Sequence, residues 1–226
     1  MEFMLDTVDL EQIRYYQAIL PLAGVTSNPT ILKQAGKIDF YAHLKKIQTI
    51  IGSASLHVQV LGETVEEIIC DAEEIIKHLG KEVYIKIPVN EAGLAAMKQL
   101  KQRGILLTAT AIYTEFQGYL AIAAGADYLA PYYNRMENLN IDAANVIGTL
   151  VQEIDRTNSS SKVLAASFKN VAQVNQACRQ GAQAITAGPD IFAQAFKMPA
   201  IQQAVTDFHN DWRENFTVET IKELSK

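Results

Sequence analysis

The sequence predicts an α/β protein folded as a single (β/α)8 TIM barrel with an extra C-terminal helix. Short β-rich runs alternate with helical patterns along the 226 residues, and eight strand–helix units in a chain of this length are typical of a parallel sheet closed on itself. With 49% hydrophobic residues, the chain supports one substantial core but is too short for two comfortable domains. A doubly wound open sheet is the alternative, although no GxGxxG motif follows the first strand and no GxxxxGK phosphate loop occurs. We therefore expect one domain over residues 1–226, with the barrel at about residues 1–198.

The eight predicted strands are short stretches rich in β-branched, aromatic and other apolar residues. They cover residues 3–7, 24–28, 56–61, 83–88, 106–111, 128–133, 163–167 and 183–188. Between them lie helices whose apolar residues repeat with a period of 3.6, most clearly at 65–79 and 91–103, each followed by a glycine suited to a left-handed cap. Residues 29–55 are expected to hold a short helix opened by Pro29 and then a second helix.

A further helix, which the barrel does not need, is predicted at about residues 199–218. Its large apolar side chains are spaced by three and four residues, as on one face of a helix. They are Ile201, Val205, Phe208, Trp212 and Phe216. Because such a row would otherwise be left in water, we expect this helix to form an oligomer contact.

Charge and composition exclude several classes of partner. The net charge is −5 and no run of Lys and Arg occurs, so neither nucleic acid nor an anionic membrane surface is expected to bind. The first residues lack the basic and apolar regions of a signal peptide, and no apolar stretch reaches the roughly 20 residues of a membrane span. Cys70 and Cys178 form no CxxC pair, which fits a reducing compartment. We therefore expect a soluble cytoplasmic protein.

The fourth predicted strand, VYIKIPV, carries the most informative residue of the sequence. Strand alternation directs Val83, Ile85 and Ile87 toward the helices. It directs Tyr84, Lys86 and Pro88 into the barrel, with Lys86 near the carboxyl ends where barrels hold their active sites. Desolvation should lower the pKa of this amine, and a neutral amine at pH 7 is what a Schiff-base nucleophile requires. The competing interpretation is a Lys86 kept charged by an ion pair.

Polar residues on the other strands share the inward side with Lys86. By the same alternation, these are Asp6, Thr26 and Asn28, His57 and Gln59, Thr108 and Thr110, Ala130 and Tyr132, and Ala165 and Ser167. A purely structural barrel core is usually filled by Val, Ile and Leu, so the set predicts a wet site around Lys86. Asp6 is the one acid at the carboxyl end of a predicted strand, and it could move the proton that carbinolamine formation and dehydration require.

Phosphate binding is expected at the same end of the barrel. Ser167 and Lys169 follow the seventh strand, where barrels often hold a phosphate near a helix N-terminus. Arg135 follows the sixth strand, and its guanidinium could bind two phosphate oxygens. No metal is expected, because the four histidines are scattered and no HExxH motif occurs, and no cofactor is expected either. The absence of GxSxG argues against a serine nucleophile.

Taken in order, several segments resemble the small transaldolase family, most closely its fructose-6-phosphate aldolase branch. They are LDT (5–7), LAGVTSNPT (22–30), QV (59–60), YIKIPV (84–89), TATAIY (108–113), APYYNR (130–135) and AASFK (165–169). The resemblance spans nearly the whole chain and implies a class I aldolase without metal. It makes Lys86 the Schiff-base lysine and Asp6 the carboxylate near it. Expected contacts to substrate and phosphate come from Thr26, Asn28, Arg135, Ser167 and Lys169.

Three positions distinguish the two activities of that family. Its transaldolases carry Glu in place of Gln59, Ser in place of Ala130 and Phe in place of Tyr132, so this chain resembles the aldolases. The implied reaction is reversible cleavage of fructose 6-phosphate to dihydroxyacetone and glyceraldehyde 3-phosphate. Tyr132 would protonate the enamine, and Gln59 and Thr110 would hold a water beside it.

The resemblance also implies a homo-oligomer, a decamer of two stacked rings of five with the C-terminal helix reaching a neighbour. Two other functions stay open. One is a transaldolase, which transfers the dihydroxyacetone unit between sugar phosphates. The other is a barrel that binds a sugar phosphate without catalysis.

Overall fold

The computed structural model describes residues 1–225, and its centre is a closed barrel of eight parallel strands in chain order, with β8 pairing back to β1. The strands are β1 Glu2–Asp6, β2 Leu22–Thr26, β3 Ser55–Gln59, β4 Tyr84–Pro88, β5 Leu107–Ile112, β6 Tyr128–Pro131, β7 Lys162–Ala165 and β8 Ala184–Ala187. The predicted (β/α)8 barrel is confirmed.

Helices surround this barrel and connect its strands. They are α1 Leu10–Ile19, α2 Pro29–Gln34, α3 Phe40–Ile51, α4 Val65–Leu79, α5 Glu91–Gln102, α6 Glu115–Ala123, α7 Tyr133–Asn138, α8 Ala143–Thr157, α9 Val171–Arg179, α10 Pro189–Phe196 and α11 Pro199–Asn215, followed by a short 3-10 helix at Ile221–Ser225. The two helices expected within residues 29–55 are α2 and α3. No helix in the described part of the chain is both long enough and apolar enough to span a membrane.

Several strands end earlier than the sequence predicts, and their last predicted residues lie in the loops above the barrel. Asn28 is the N-cap of α2, where its side chain accepts a hydrogen bond from the Ile31 amide at 3.0 Å. Tyr132 precedes α7, and Ser167 has a left-handed backbone with φ 63°. Asn28 and Ser167 lie beyond their strands, and Tyr132 keeps only an isolated bridge to Ala166. The loops therefore contribute to the direction of these side chains.

Inside and outside of the barrel differ in composition. Outward residues of the strands, such as Leu5, Val25 and Ile85, pack with the helices in one large apolar core. Inward residues near the amino ends of the strands form a second, small cluster around Met4 and Tyr128. The predicted inward direction is therefore correct for β1, β4 and β6.

The predicted alternation of β7 is wrong. Ala165 packs in the outer core, whereas Leu164 lies in the inner cluster. Ala166 lines the cavity at the top of the barrel together with Ser167. The predicted strand includes Ser167, but β7 ends at Ala165 and the left-handed backbone of Ser167 interrupts the period of two.

A glycine in α5 fixes how closely this helix packs on the end of β4. A Cβ added at Gly93 would lie 1.9 Å from the carbonyl oxygen of Pro88, closer than any real contact. Pro88 is the last residue of β4, two positions after Lys86. The absence of a side chain at Gly93 therefore lets α5 approach the strand that carries the lysine.

Gly93→Ala is expected to destabilise the protein by about 1–3 kcal/mol, because backbone must move to admit the methyl group. Gly148→Ala in α8 is the matched control, since its added Cβ meets only the end of the exposed Gln180 side chain, at 2.6 Å. Alanine also favours a helix by roughly 1 kcal/mol over glycine, so this control should be neutral or stabilising. Chemical denaturation of both variants measures the difference, and equal stabilities would contradict the close-packing argument.

Candidate active site

A cavity of about 430 Å³ opens at the carboxyl ends of the strands. Seven of the ten residues predicted for the site line it: Asp6, Asn28, Lys86, Tyr132, Arg135, Ser167 and Lys169. Thr26, Gln59 and Thr110 are not part of the lining, and the side chains of Thr26 and Thr110 are fully buried. The loops and strand ends thus bring together residues that are far apart in the sequence.

Lys86 lies in the middle of β4 and is 5% exposed. Its Nζ donates one hydrogen bond, to the carbonyl oxygen of Ser27 at 2.8 Å, and it forms no ion pair with any residue the structure describes. Burial lowers the pKa of the Lys86 amine, and the charge of Asp6 opposes this only in part. An ammonium has three N–H donors to satisfy, so a site that offers one acceptor favours the neutral amine.

Asp6 is held by the hydroxyl group of Thr26 rather than by Lys86. Its Oδ1 accepts a hydrogen bond from Thr26 Oγ1 at 2.6 Å, and Thr26 Oγ1 lies 2.6 Å from Thr186 Oγ1. The competing interpretation, an ion pair that keeps Lys86 charged, is therefore not the arrangement formed. The carboxylate is fixed at the cavity wall close enough to act on the amine electrostatically.

Tyr132 and Thr110 form a second polar pair. Their hydroxyl oxygens are 2.9 Å apart, and burial raises the pKa of the Tyr132 phenol above its usual value. The phenol is thus even more securely protonated at pH 7 than an ordinary tyrosine. Thr110 stands beside Pro88 in the β4–β5 register, one layer above Lys86 and Thr108.

Gln59 is the register partner of Lys86 on β3. Its side-chain Oε1 is buried and has no hydrogen-bond partner among the described residues. Since burying a polar atom without a partner costs free energy, Gln59 Oε1 is an unsatisfied acceptor on the strand beside Lys86.

The cations of the site lie at its rim. The Arg135 guanidinium stacks over the Tyr132 ring at 4.6 Å from its centroid and reaches the Tyr113 hydroxyl at 3.5 Å. Lys169 is exposed on the loop after β7, next to Ser167. An anionic group entering this side of the cavity would meet both positive charges.

His57, one of the predicted inward residues, is fully buried below this site. Its Nδ1 lies 2.8 Å from Thr108 Oγ1 and its Nε2 lies 2.9 Å from Ser55 Oγ, and the ring stacks on Tyr84. Burial, and then repulsion from Lys86, hold the pKa of the imidazole well below its usual range. His57 is therefore a neutral residue of the barrel floor with both ring nitrogens satisfied.

The sequence matches the family described as Transaldolase/Fructose-6-phosphate aldolase over residues 3–225. The chain belongs to this family. One relative, from Streptococcus pneumoniae, is named "Probable fructose-6-phosphate aldolase". The two are 60% identical over 213 residues, which cover 94% of this chain and 96% of the relative. The family predicted from the motifs is confirmed.

Sequence reasoning missed Thr186 on β8. This residue is 2% exposed, lines the cavity and bonds to Thr26, which in turn bonds to Asp6. Its position could have been found, because Thr186 lies two residues after Ala184, which faces the inside of the barrel. The sequence correctly predicts a strand at residues 183–188, but the predicted site includes no residue of this strand.

We expect Lys86 to form a covalent Schiff-base adduct with dihydroxyacetone. Borohydride added with dihydroxyacetone should add the donor's mass less one oxygen to the peptide containing residues 82–95, because imine formation expels water and reduction adds two hydrogens. Lys86→Ala should show no adduct. Because burial lowers its pKa, the amine is neutral at a lower pH than an ordinary lysine. Trapping should therefore rise with pH through a midpoint below the ordinary value of 10.5. Peptide mass mapping across a pH series measures both.

Lys162→Ala is the control, because Lys162 pairs with Glu2 at the opposite end of the barrel and should not react. An adduct on Lys162, or normal turnover by Lys86→Arg, would overturn the assignment, since a guanidinium stays protonated in this range.

Proposed function

We propose that this protein is a class I aldolase that reversibly cleaves fructose 6-phosphate to dihydroxyacetone and glyceraldehyde 3-phosphate. The observation that carries the proposal is the buried Lys86 amine, which has one hydrogen bond and no ion pair among the described residues. The family and the 60% identical relative from Streptococcus pneumoniae support the same reaction.

The first steps use Lys86 and Asp6. The neutral amine attacks C2 of the ketose and forms a carbinolamine, and loss of water from it requires a proton at the departing oxygen. Asp6 lines the same cavity and is fixed by Thr26, so it is the group placed to exchange this proton. The C4 hydroxyl then gives its proton to the Asp6 carboxylate and becomes the carbonyl of the leaving aldehyde. The iminium accepts the electron pair of the C3–C4 bond as that bond breaks. Glyceraldehyde 3-phosphate leaves, and an enamine of dihydroxyacetone stays on Lys86.

Release of dihydroxyacetone requires a proton on C3 of the enamine and then water on the imine. We assign the proton donor to Tyr132, whose buried phenol is held protonated and is oriented by Thr110 at 2.9 Å. The unpartnered Oε1 of Gln59, on the strand beside Lys86, is suited to accept a hydrogen bond from the attacking water.

Substrate orientation follows from the charges at the rim. We assign the phosphate to Arg135, which lies in α7 directly after β6, and to Ser167 and Lys169 on the loop after β7. Asn28, after β2, is placed to contact a substrate hydroxyl. A contact between Thr26 and the substrate stays a prediction. In the structure the hydroxyl group of Thr26 donates its hydrogen to Asp6.

Transaldolase is the second candidate, and it differs only in what captures the enamine. An aldehyde acceptor would take the place of the proton from Tyr132. The Gln59, Ala130 and Tyr132 positions favour the aldolase, and the Tyr132–Thr110 contact gives this preference a physical basis. A barrel that binds a sugar phosphate without catalysis is disfavoured, because binding alone does not require a buried amine without an ion pair.

Tyr132→Phe is expected to lower fructose 6-phosphate cleavage by about a hundredfold or more, since the enamine loses its acid catalyst. Imine formation at Lys86 should persist, measured by borohydride trapping. The control is Tyr133→Phe, which removes the hydroxyl of a neighbouring tyrosine that packs on Phe168 in the outer core.

Adding Gln59→Glu to Tyr132→Phe should raise transfer of the dihydroxyacetone unit to erythrose 4-phosphate. The protein itself should release free dihydroxyacetone from fructose 6-phosphate without any acceptor aldehyde. Release that requires erythrose 4-phosphate would instead identify a transaldolase.

We also propose that α11 joins copies of this chain in a homo-oligomer. No residue of α11 is buried in the single chain, and Ile201, Val205 and Phe208 are all exposed, the last by 70%. Trp212 stacks on Phe216 and donates from Nε1 to the carbonyl oxygen of Val218, which holds Val218 beside the helix. The decamer and the cytoplasmic location implied by the sequence remain predictions; the free thiols of Cys70 and Cys178 are compatible with a reducing compartment.

Phe208→Asp should give smaller assemblies, because burying a charge at the contact is costly whereas burying phenylalanine contributes about 1.5–3 kcal/mol. Asn210→Asp introduces the same charge two residues away on another face of the helix and should leave assembly unchanged. Light scattering coupled to gel filtration compares the two. Assemblies of equal size in both variants would show that this face is not the contact.

A further inference from the structure

Thr186 on β8 is linked to the carboxylate of Asp6 through the hydroxyl group of Thr26 on β2. β1 carries Asp6 and is paired with β2 on one side and β8 on the other. Thr26 on β2 and Thr186 on β8 meet in front of β1, with their hydroxyl oxygens 2.6 Å apart, and Thr26 contacts Asp6 at 2.6 Å. Thr26 is fully buried and Thr186 is 2% exposed, so these hydroxyl groups are shielded from bulk solvent.

The chemistry of the three groups fixes the direction of both hydrogen bonds. An ionised carboxylate only accepts, so Thr26 donates its single hydroxyl hydrogen to Asp6 Oδ1. With that hydrogen committed, Thr26 can only accept from Thr186. The chain therefore runs from Thr186 to Thr26 to Asp6, and Thr186 is one of the residues that line the cavity.

We propose that Thr186 is a positioning residue for the aldolase reaction, which acts through Thr26 to hold Asp6 Oδ1 and so reserves Oδ2 for proton exchange with the Lys86 adduct. A proton placed on Oδ1 would meet the hydrogen of Thr26, whereas Oδ2 has no hydrogen-bond partner among the described residues. The inference rests on the proposed function.

The contribution of Thr186 is to strengthen and orient the hydroxyl of Thr26. Hydrogen bonds in a chain polarise one another, and a donor whose own oxygen accepts a bond is a stronger donor. Without Thr186, the buried oxygen of Thr26 would lose its donor, and Thr26 would hold the carboxylate less tightly. Loss of the Thr186 hydroxyl group should therefore slow proton transfer and leave substrate binding nearly unchanged.

The test compares Thr186→Val, which removes the hydroxyl at nearly constant volume, with Thr186→Ser, which keeps it. In Thr186→Val we expect kcat for fructose 6-phosphate cleavage to fall about tenfold with little change in KM. The same loss should appear in the rate of borohydride trapping with dihydroxyacetone, and Thr186→Ser should recover most of it. Thr186→Ala is a second hydroxyl-free variant in case Val does not fold, with thermal unfolding as the check on both.

A double-mutant cycle with Asp6→Ala isolates the route through Asp6. If Thr186 acts through this carboxylate, Thr186→Val should lower the trapping rate less than about twofold once Asp6 is gone. An equal loss in both backgrounds, or no loss in the presence of Asp6, would overturn the inference. A failure of the proposed function would look different. The unmodified protein would either form no adduct at Lys86, or form the adduct and release free dihydroxyacetone only when an acceptor aldehyde is present.

Discussion

The hydrogen bond from the Lys86 amine to the carbonyl oxygen of Ser27 is the contact around which the site is built. It joins β4 to the chain just after β2, across the top of β3. Ser27 is itself tied to β3, since its backbone N–H donates to the carbonyl oxygen of His57 at 3.1 Å. Because the barrel closes around this point, the amine is removed from water and meets one acceptor instead of three. The lowered pKa of this amine is thus a consequence of burial inside the closed sheet, where one carbonyl group is its acceptor.

The polar residues inside the barrel form two layers with different roles. In the lower layer, Ser55 donates to the carbonyl oxygen of Ala23 and so can only accept from His57 Nε2. The neutral imidazole then accepts from Thr108, and every group of this layer is satisfied within the protein. In the upper layer, Gln59 has an unpartnered oxygen and Asp6 has one oxygen held. Both layers are polar. The upper, reactive layer differs from the lower one because it has polar atoms without hydrogen-bond partners among the described residues.

Much of this arrangement could be predicted from residue order, and the exceptions have physical causes. Alternation along β4 placed Lys86 correctly, because the strand is regular from Tyr84 to Pro88. It misplaced Ala165, because Ser167 enters the cavity through a left-handed turn that alternation does not describe. The hydroxyl chain from Thr186 could not be predicted by pattern, since it depends on distances across three strands. Periodicity gives the direction of a side chain within a strand, whereas contacts at the barrel rim are set by the loops.

Burying the reactive amine also has a consequence for stability. The folded chain holds Lys86 at a lowered pKa, while the unfolded chain returns it to its ordinary value of 10.5. Between these two values the unfolded state binds a proton that the folded state does not, so the free energy of unfolding rises with pH across this interval. Below the lowered pKa, both states are protonated and the folded state carries the full penalty of a buried ammonium. The outer apolar core around Leu5, Val25 and Ile85 must offset that penalty, and it lies on the other face of the same strands. Stability and reactivity are thereby assigned to opposite sides of one sheet.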